Sequence, residues 1–267
     1  MACRRDYQFL PKEEFEMAFS KIKKPIVKEK VRNILFGVDA QFSSDDLLQN
    51  NIDQFEWVLR NKIYPNFYGR NLNGDNRLTL SEIEYLHKKG CKIAAIYQTT
   101  DDQMTEAQGK ACAKAVSEQA SKLRIPTGTA IFLNIDEEKP LSREFLRGYA
   151  KYLIVDGYTP GFRASTDAKY DFDRIFSQGV RMNNQIFEKC LIWATTPTDP
   201  NYYRMTTSHL IHPDEWKPYA PSAIRRNEIA IWQYGYCCHP IENDHGEVVT
   251  FNLDLVRNEQ VIMEKMF

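Results

Sequence analysis

The segment Gly128-Thr-Ala-Ile-Phe-Leu-Asn134-Ile-Asp136-Glu137-Glu138 constrains this chain more than any other. Its apolar, β-branched and aromatic run follows Pro126-Thr127 and carries a strand signal. It ends in carboxylates. Side chains alternate along a strand, so Asn134, Asp136 and Glu138 fall on one face and Ile135 and Glu137 on the other. A second apolar run, Ile34 to Val38, ends the same way at Asp39. Acids at the carboxyl ends of buried strands sit where α/β barrels place their chemistry. Such acids can also cap a helix or hold an arginine such as Arg70. With Asp254 as a third candidate, the pattern points to a functional site of paired carboxylates.

From residue 31 onward, strand and helix patterns alternate, the mark of a mostly parallel sheet. Strands are predicted at 33–39, 66–71, 91–97, 130–136, 160–164, 190–195 and 229–234. Helices are predicted at 44–61, 79–90, 104–124, 141–155 and 167–188. In the third helix, Ala107, Ala111, Ala115, Val116, Ala120 and Leu123 form the expected packing stripe. The 267 residues and 43% hydrophobic content suit one full α/β core. The predicted fold is a single (β/α)8 TIM-type barrel over 31–267, preceded by a short basic extension, 1–30. Residues 196–227, rich in proline and aromatic rings, are expected to form a long loop shaping a cleft at the barrel mouth.

Several functions are disfavoured. The formal net charge of -1 does not suggest a nucleic-acid or anionic-membrane partner. No window approaches ~18 consecutive apolar residues, so no transmembrane helix is expected. The polar N-terminus does not resemble a secretory signal. The scattered cysteines suggest reduced thiols, and adjacent Cys237-Cys238 cannot pair without strain. Gly-x-x-x-x-Gly-Lys, Gly-x-Gly-x-x-Gly, Gly-x-Ser-x-Gly and His-Glu-x-x-His are all missing, which argues against nucleotide, Rossmann, serine-hydrolase and zincin chemistry. No cofactor is expected.

Metal signals are weak. Asn71 to Glu82 places oxygen ligands at positions one, three, five and twelve of an EF-hand-like loop, but Asn76 stands where glycine is needed. A strand-to-helix turn with a Thr79-x-x-Glu82 capping box is the preferred alternative. His209-x-x-His212 and Cys237-Cys238-His239 with His245 match no established zinc spacing, so no metal site is assigned. Trp193 and Trp232 lie in apolar strands and read as core, although rings near a barrel mouth can also support a sugar face.

An ordered series of residues adds a resemblance. It runs Gly37-Val-Asp39, Phe67-Tyr-Gly-Arg70, Leu78-Thr-x-x-Glu82, Ile93-Ala-Ala-Ile-Tyr97-Gln98, Gln108-Gly109, Ala113, Ala115 and Ile125-Pro-x-Gly128. It continues with Phe132-Leu-Asn-Ile-Asp136, Leu191-Ile-Trp193-Ala194 and Ile231-Trp-Gln233-Tyr234. Over about residues 31–256 the chain resembles a glycoside-hydrolase-like barrel family, itself similar to the family 25 glycoside hydrolases, the lysozymes (N-acetylmuramidases) that cut peptidoglycan. The resemblance implies acids at the ends of the first, fourth and last strands. Asp39 takes the first-strand position. Asn134 and Asp136 align with the muramidase Asp-x-Glu in the preferred register. Asp136 and Glu138 do so in a register shifted by two. Asn252 and Asp254 reverse the muramidase Asp-x-Asn order.

The resemblance implies a glycosidase acting on peptidoglycan or a related amino-sugar polymer. Asp136 would be the general acid, in a pocket walled by Tyr97, Trp193 and Gln233 that raises its pKa. Asp39 or Asp254 would stabilise positive charge on the sugar or orient its N-acetyl group. Tyr97, Gln98 and Gln233 would bind hydroxyls, and Arg70 would set the charge of the acids. The alternative is a non-hydrolytic glycan-binding or effector barrel, which Asn134 and Asn252 favour. Oligomeric state is open. The location is read as cytoplasmic, or exported by a non-classical or phage-type route.

Overall fold

A computed structural model describes residues 34–49, 51–99, 102–182, 185–205, 213 and 215–267. The basic extension, His209 and His212 lie outside the described residues. Eight strands close into a barrel in chain order: β1 Leu35–Ala40, β2 Phe67–Asn71, β3 Lys92–Gln98, β4 Ala130–Asn134, β5 Thr159–Ala164, β6 Leu191–Ala194, β7 Ile231–Glu242 and β8 Val248–Val256. Strands β1 to β7 run parallel, and β8 is antiparallel to both β7 and β1. Periodicity alone misses β8. Its alternating Thr250, Asn252 and Asp254 dilute the apolar signal, and a hairpin rather than a helix joins it to β7.

Five helices alternate with the parallel strands or lie beside them: α1 Gln54–Arg60, α2 Leu80–Lys88, α3 Glu106–Lys122, α4 Arg143–Val155 and α5 Asp171–Arg181; α6, Glu259–Lys265, closes the chain. Helix α1 is ten residues shorter at its start than predicted. Asp53 accepts the Glu56 N–H as N-cap, and Leu47 and Leu48 are held in isolated β-bridges. Between β6 and β7 the described residues hold only 3-10 turns, Pro200–Tyr202 and Arg226–Glu228. The prolines of this stretch remove helical donors, which suits the loop seen in its described residues.

The buried face of α3 is Gly109, Ala113, Val116 and Ala120, rotated from the predicted stripe. Ala107 and Ala111 are exposed. Close contact with α4 decides the difference. A Cβ on Gly109 would stand 2.2 Å from the Phe145 carbonyl oxygen, and one on Gly148 would stand 2.4 Å from that of Glu106. Two glycines therefore let the helix backbones touch, which a search for apolar side chains overlooks. Inside the barrel, Phe67, Phe132 and Trp193 fill the middle, with Phe132 and Trp193 edge to face at 5.3 Å. Gly69 makes room for this layer: its Cβ would lie 2.8 Å from the Trp193 ring and 2.6 Å from the Asp39 Cβ.

In an ordinary helix, replacing glycine by alanine stabilises by about 0.5–1 kcal/mol. Gly109→Ala should instead destabilise by about 1–3 kcal/mol, the usual cost of overpacking. Thermal denaturation checks this against Ala107→Leu on the exposed face, which should leave Tm nearly unchanged.

Candidate active site

Above the aromatic layer the barrel interior turns polar. The last inward positions of β1, β2, β3, β4, β5, β7 and β8 carry Asp39, Asn71, Gln98, Asn134, Arg163, Gln233 and Asn252. Hydrogen bonds link them across the mouth. The Gln98 amide donates to Asn71 at 2.8 Å, and the Asn134 amide donates to Gln98 at 2.9 Å. Arg163 donates from Nη1 to Asn134 Oδ1 at 2.7 Å and from Nη2 to Gln233 Oε1 at 2.6 Å. The same Nη2 lies 3.2 Å from Asp39 Oδ2, making a largely buried ion pair. Asn252 donates to Asp39 Oδ1 at 2.8 Å.

Arg163 thus holds side chains from β1, β4 and β7, and its guanidinium lies 5.2 Å from the Trp193 ring centre. Sequence reasoning missed it, although an arginine at the penultimate position of an apolar strand was a visible signal. Arg70, chosen instead, is fully buried behind the mouth. Its Nε donates to Glu82 at 2.7 Å, and the rest of its fork binds the carbonyls of Ala40, Gln41 and Asn76. It stitches the β1 and β2 loops together and has no access to a ligand. Glu82 is committed to this pair and to the Ser44 N–H, so it is not a calcium ligand. Thr79 caps α2 by accepting the Glu82 N–H, but the Glu82 side chain is spent on Arg70 rather than on a reciprocal capping box.

Asp254 sits one layer deeper. Because β8 is antiparallel, the earlier residue lies nearer the mouth: Asn252 pairs with Asp39 and Asp254 with Gly37. Asp254 is fully buried, and the Trp193 indole donates to its Oδ1 at 2.8 Å. Burial pushes its carboxyl well above the usual range, and the nearby Asp39 charge adds to this; Arg163 and the Trp193 bond oppose it. Its Oδ2 has no hydrogen-bond partner among the described residues.

Asp136 lies two residues beyond β4, so strand alternation no longer governs Asp136 or Glu138. Gln103, fully buried in the loop after β3, clamps the Asp136 backbone at both its N–H and its carbonyl. Oδ1 of Asp136 accepts the Glu138 N–H at 3.0 Å, and Lys139 Nζ is 3.9 Å from Oδ2. The side chain is about one-third exposed (32%). Of the expected walls, Gln233 lines the same cavity, whereas Trp193 and Tyr97 do not. Trp193 is completely buried in the core and offers no sugar platform, and Trp232 is 1% exposed. Tyr97 is half-buried at β3 and lines neither cavity at the mouth. Glu138 is exposed, and Glu137 accepts the Ser165 N–H.

Two cavities open at the mouth. One, of about 530 Å³, is lined by Asp39, Asn71, Gln98, Arg163, Cys237 and Asn252 among others. The other, of about 500 Å³, is lined by Asn134, Asp136, Glu137, Glu138, Tyr203 and Gln233 among others. Gln98, Arg163 and Tyr236 border both, so the two halves make one cleft. No cluster of three potential metal ligands exists among the described residues. His239 is buried edge-on against Trp57 at 5.9 Å, and burial lowers its pKa. Among the described residues no helix is long and apolar enough to cross a membrane.

A family model for the Rv2525c-like, glycoside hydrolase-like domain matches residues 63–243. The chain belongs to this family. The match spans β2 through β7 and leaves Asp39 and the β8 pair outside it. The crystal structure of an uncharacterized B. stearothermophilus protein is similar to this chain, with 25% identity and a TM-score of 0.68, covering 87% of this chain and all of that one. The modular autolysin LytC from Streptococcus pneumoniae shares the fold, with 12% identity and a TM-score of 0.52. That alignment covers 83% of this chain but only 47% of LytC, so the chain spans about half of LytC's length. No curated protein matches.

The buried acid yields a test. Folded Asp254 keeps its proton at pH values where an ordinary carboxyl, near 3.8, has lost it. Folding then takes up a proton, so this residue costs stability as pH rises above about 4. Asp254→Asn, which cannot ionise, removes that cost. The Tm difference should favour the variant and widen from about pH 4 toward pH 7. A difference independent of pH contradicts a protonated Asp254.

Proposed function

We propose that this barrel is a glycoside hydrolase acting on peptidoglycan or a related amino-sugar polymer. One observation carries the reading: Asp39 and Asp136 line the two halves of a single cleft at the carboxyl face of the barrel, bridged by Gln98, Arg163 and Tyr236. A glycosidase needs a proton donor on one side of the scissile bond and a second carboxylate near the sugar that becomes positively charged. Asp136 is the residue for the first task. It reaches solvent, its backbone is clamped by Gln103, and Lys139 is its ion-pair partner among the described residues. Asp39 serves the second, held in place by Arg163 and Asn252.

Asp254 works from below, as a proton-bearing partner of Asp39 rather than by touching the glycan. The amides of Gln98, Asn134, Gln233 and Asn252 supply donors and acceptors for sugar hydroxyls and N-acetyl groups. The choice of an amino-sugar polymer rests on the resemblance to a glycoside-hydrolase-like barrel family that is itself similar to the muramidases. The domain is read as residues 31–267 with an extension over 1–30.

A second reading has its own support. Arg163 and Asn252 both engage Asp39, which reduces the negative charge it offers to a sugar. A cleft so neutralised could bind glycan without cutting it. Incubation with peptidoglycan and with chitin oligomers, followed by mass spectrometry, separates the two. Cleaved products support hydrolysis; binding without products supports the second reading.

If products form, Asp136→Asn should lower the rate by ~10²–10⁴-fold, the usual contribution of a general acid. Saccharide binding should survive. Glu138→Gln should cost far less, because Glu138 lies further beyond the end of β4 and its side chain is exposed. An inactive Glu138→Gln beside a fully active Asp136→Asn would show that the shifted register applies.

A further inference from the structure

Strand β7 is buried along its first five residues and then breaks its pattern at Tyr236, which is 44% exposed. The backbone is distorted to do this. The pairing of β7 with β8 shifts register between Gln233 and Gly235, again by Cys238, and again by Ile241. Cys237 and His239 both adopt positive φ, +50° and +51°, a conformation costly for residues with a Cβ. Bulges beside active sites commonly re-aim one side chain. A second tyrosine meets the first. Tyr203, 43% exposed, also precedes a left-handed residue, Arg204 at φ +52°. The two chain segments are tied by the Arg204 N–H donating to the Tyr236 carbonyl at 2.8 Å. Their rings stand 6.0 Å apart at 60°, and both line the Asp136 half of the cleft.

We propose that Tyr236 and Tyr203 form a sugar-ring platform in the Asp136 half of the cleft, selective for β-linked pyranoses whose substituents are all equatorial. This rests on the glycan reading above and adds to it the subsite and the ring geometry it accepts. An exposed aromatic face offers apolar area that a pyranose covers with its axial C–H groups. An axial hydroxyl would hold the ring off that face. Tyr236 also borders the Asp39 half, so a ring seated on it lies beside the Arg163 boundary between the two halves.

Titration calorimetry with a tetramer of β-1,4-linked N-acetylglucosamine tests the platform. Tyr236→Ala should weaken binding roughly tenfold, Tyr203→Ala by less, and Tyr236→Phe should retain most of the affinity. A β-1,4-linked galactose tetramer, whose axial C4–O linkages kink the chain away from a flat ring face, should bind no better to the native protein than to Tyr236→Ala. Native affinity in both alanine variants overturns the platform and leaves the glycan reading standing. A native protein that binds no amino-sugar oligomer overturns both. Because both side chains are well exposed, each variant should keep the native Tm; if one does not fold, the other carries the test.

Discussion

The guanidinium of Arg163 is the interaction on which the barrel mouth depends. It bonds Asn134 from β4, Asp39 from β1 and Gln233 from β7, which are neighbours only because the barrel closes. Breaking a buried pair of this kind by removing one partner commonly costs about 3–5 kcal/mol, because the remaining charge is stranded. The planar fork also fixes directions that a lysine would leave loose. Below it, Trp193 packs under the guanidinium and donates to Asp254, so the aromatic core and the polar mouth are one continuous structure.

This arrangement divides the acids by depth. Asp254, sealed beneath Trp193, keeps a proton. Asp39, one layer up, meets a cation and an amide donor. Asp136, beyond the strand end, reaches solvent. Identical side chains thereby acquire different tasks from their surroundings, as environment-tuned carboxylates do in glycosidases. The cleft then has a neutralised floor on its Asp39 side and more exposed carboxylates with tyrosine rings on its Asp136 side.

Much of this was legible in the sequence. Apolar strands ending in Asp39, Gln98 and Asn134 mark the mouth, because alternation carries each chain from the core layer to the polar layer. The fold follows from the same alternation with helices between. Other parts were hidden for identifiable reasons. Arg163 emerges only when β5 is placed opposite β1, a relation no local window contains. Arg70 looked equally suitable, but its partner Glu82 takes it out of the cleft. Trp193 sits at an inward position in the middle layer, so its ring fills the core. Tyr236 is brought out by bulges in β7, which simple alternation cannot anticipate. The α3 stripe was misplaced because contact between Gly109 and α4 involves backbone, which hydrophobic patterning does not register.

The most direct test of a cleft that holds a glycan between Asp39 and Asp136 is a crystal structure of Asp136→Asn with a bound amino-sugar oligomer. The account expects the chain to cross the Arg163 boundary, with one glycosidic oxygen within about 2.6–3.2 Å of the residue 136 side chain. An oligomer bound with that oxygen against Glu138, or lying outside the cleft, would contradict it.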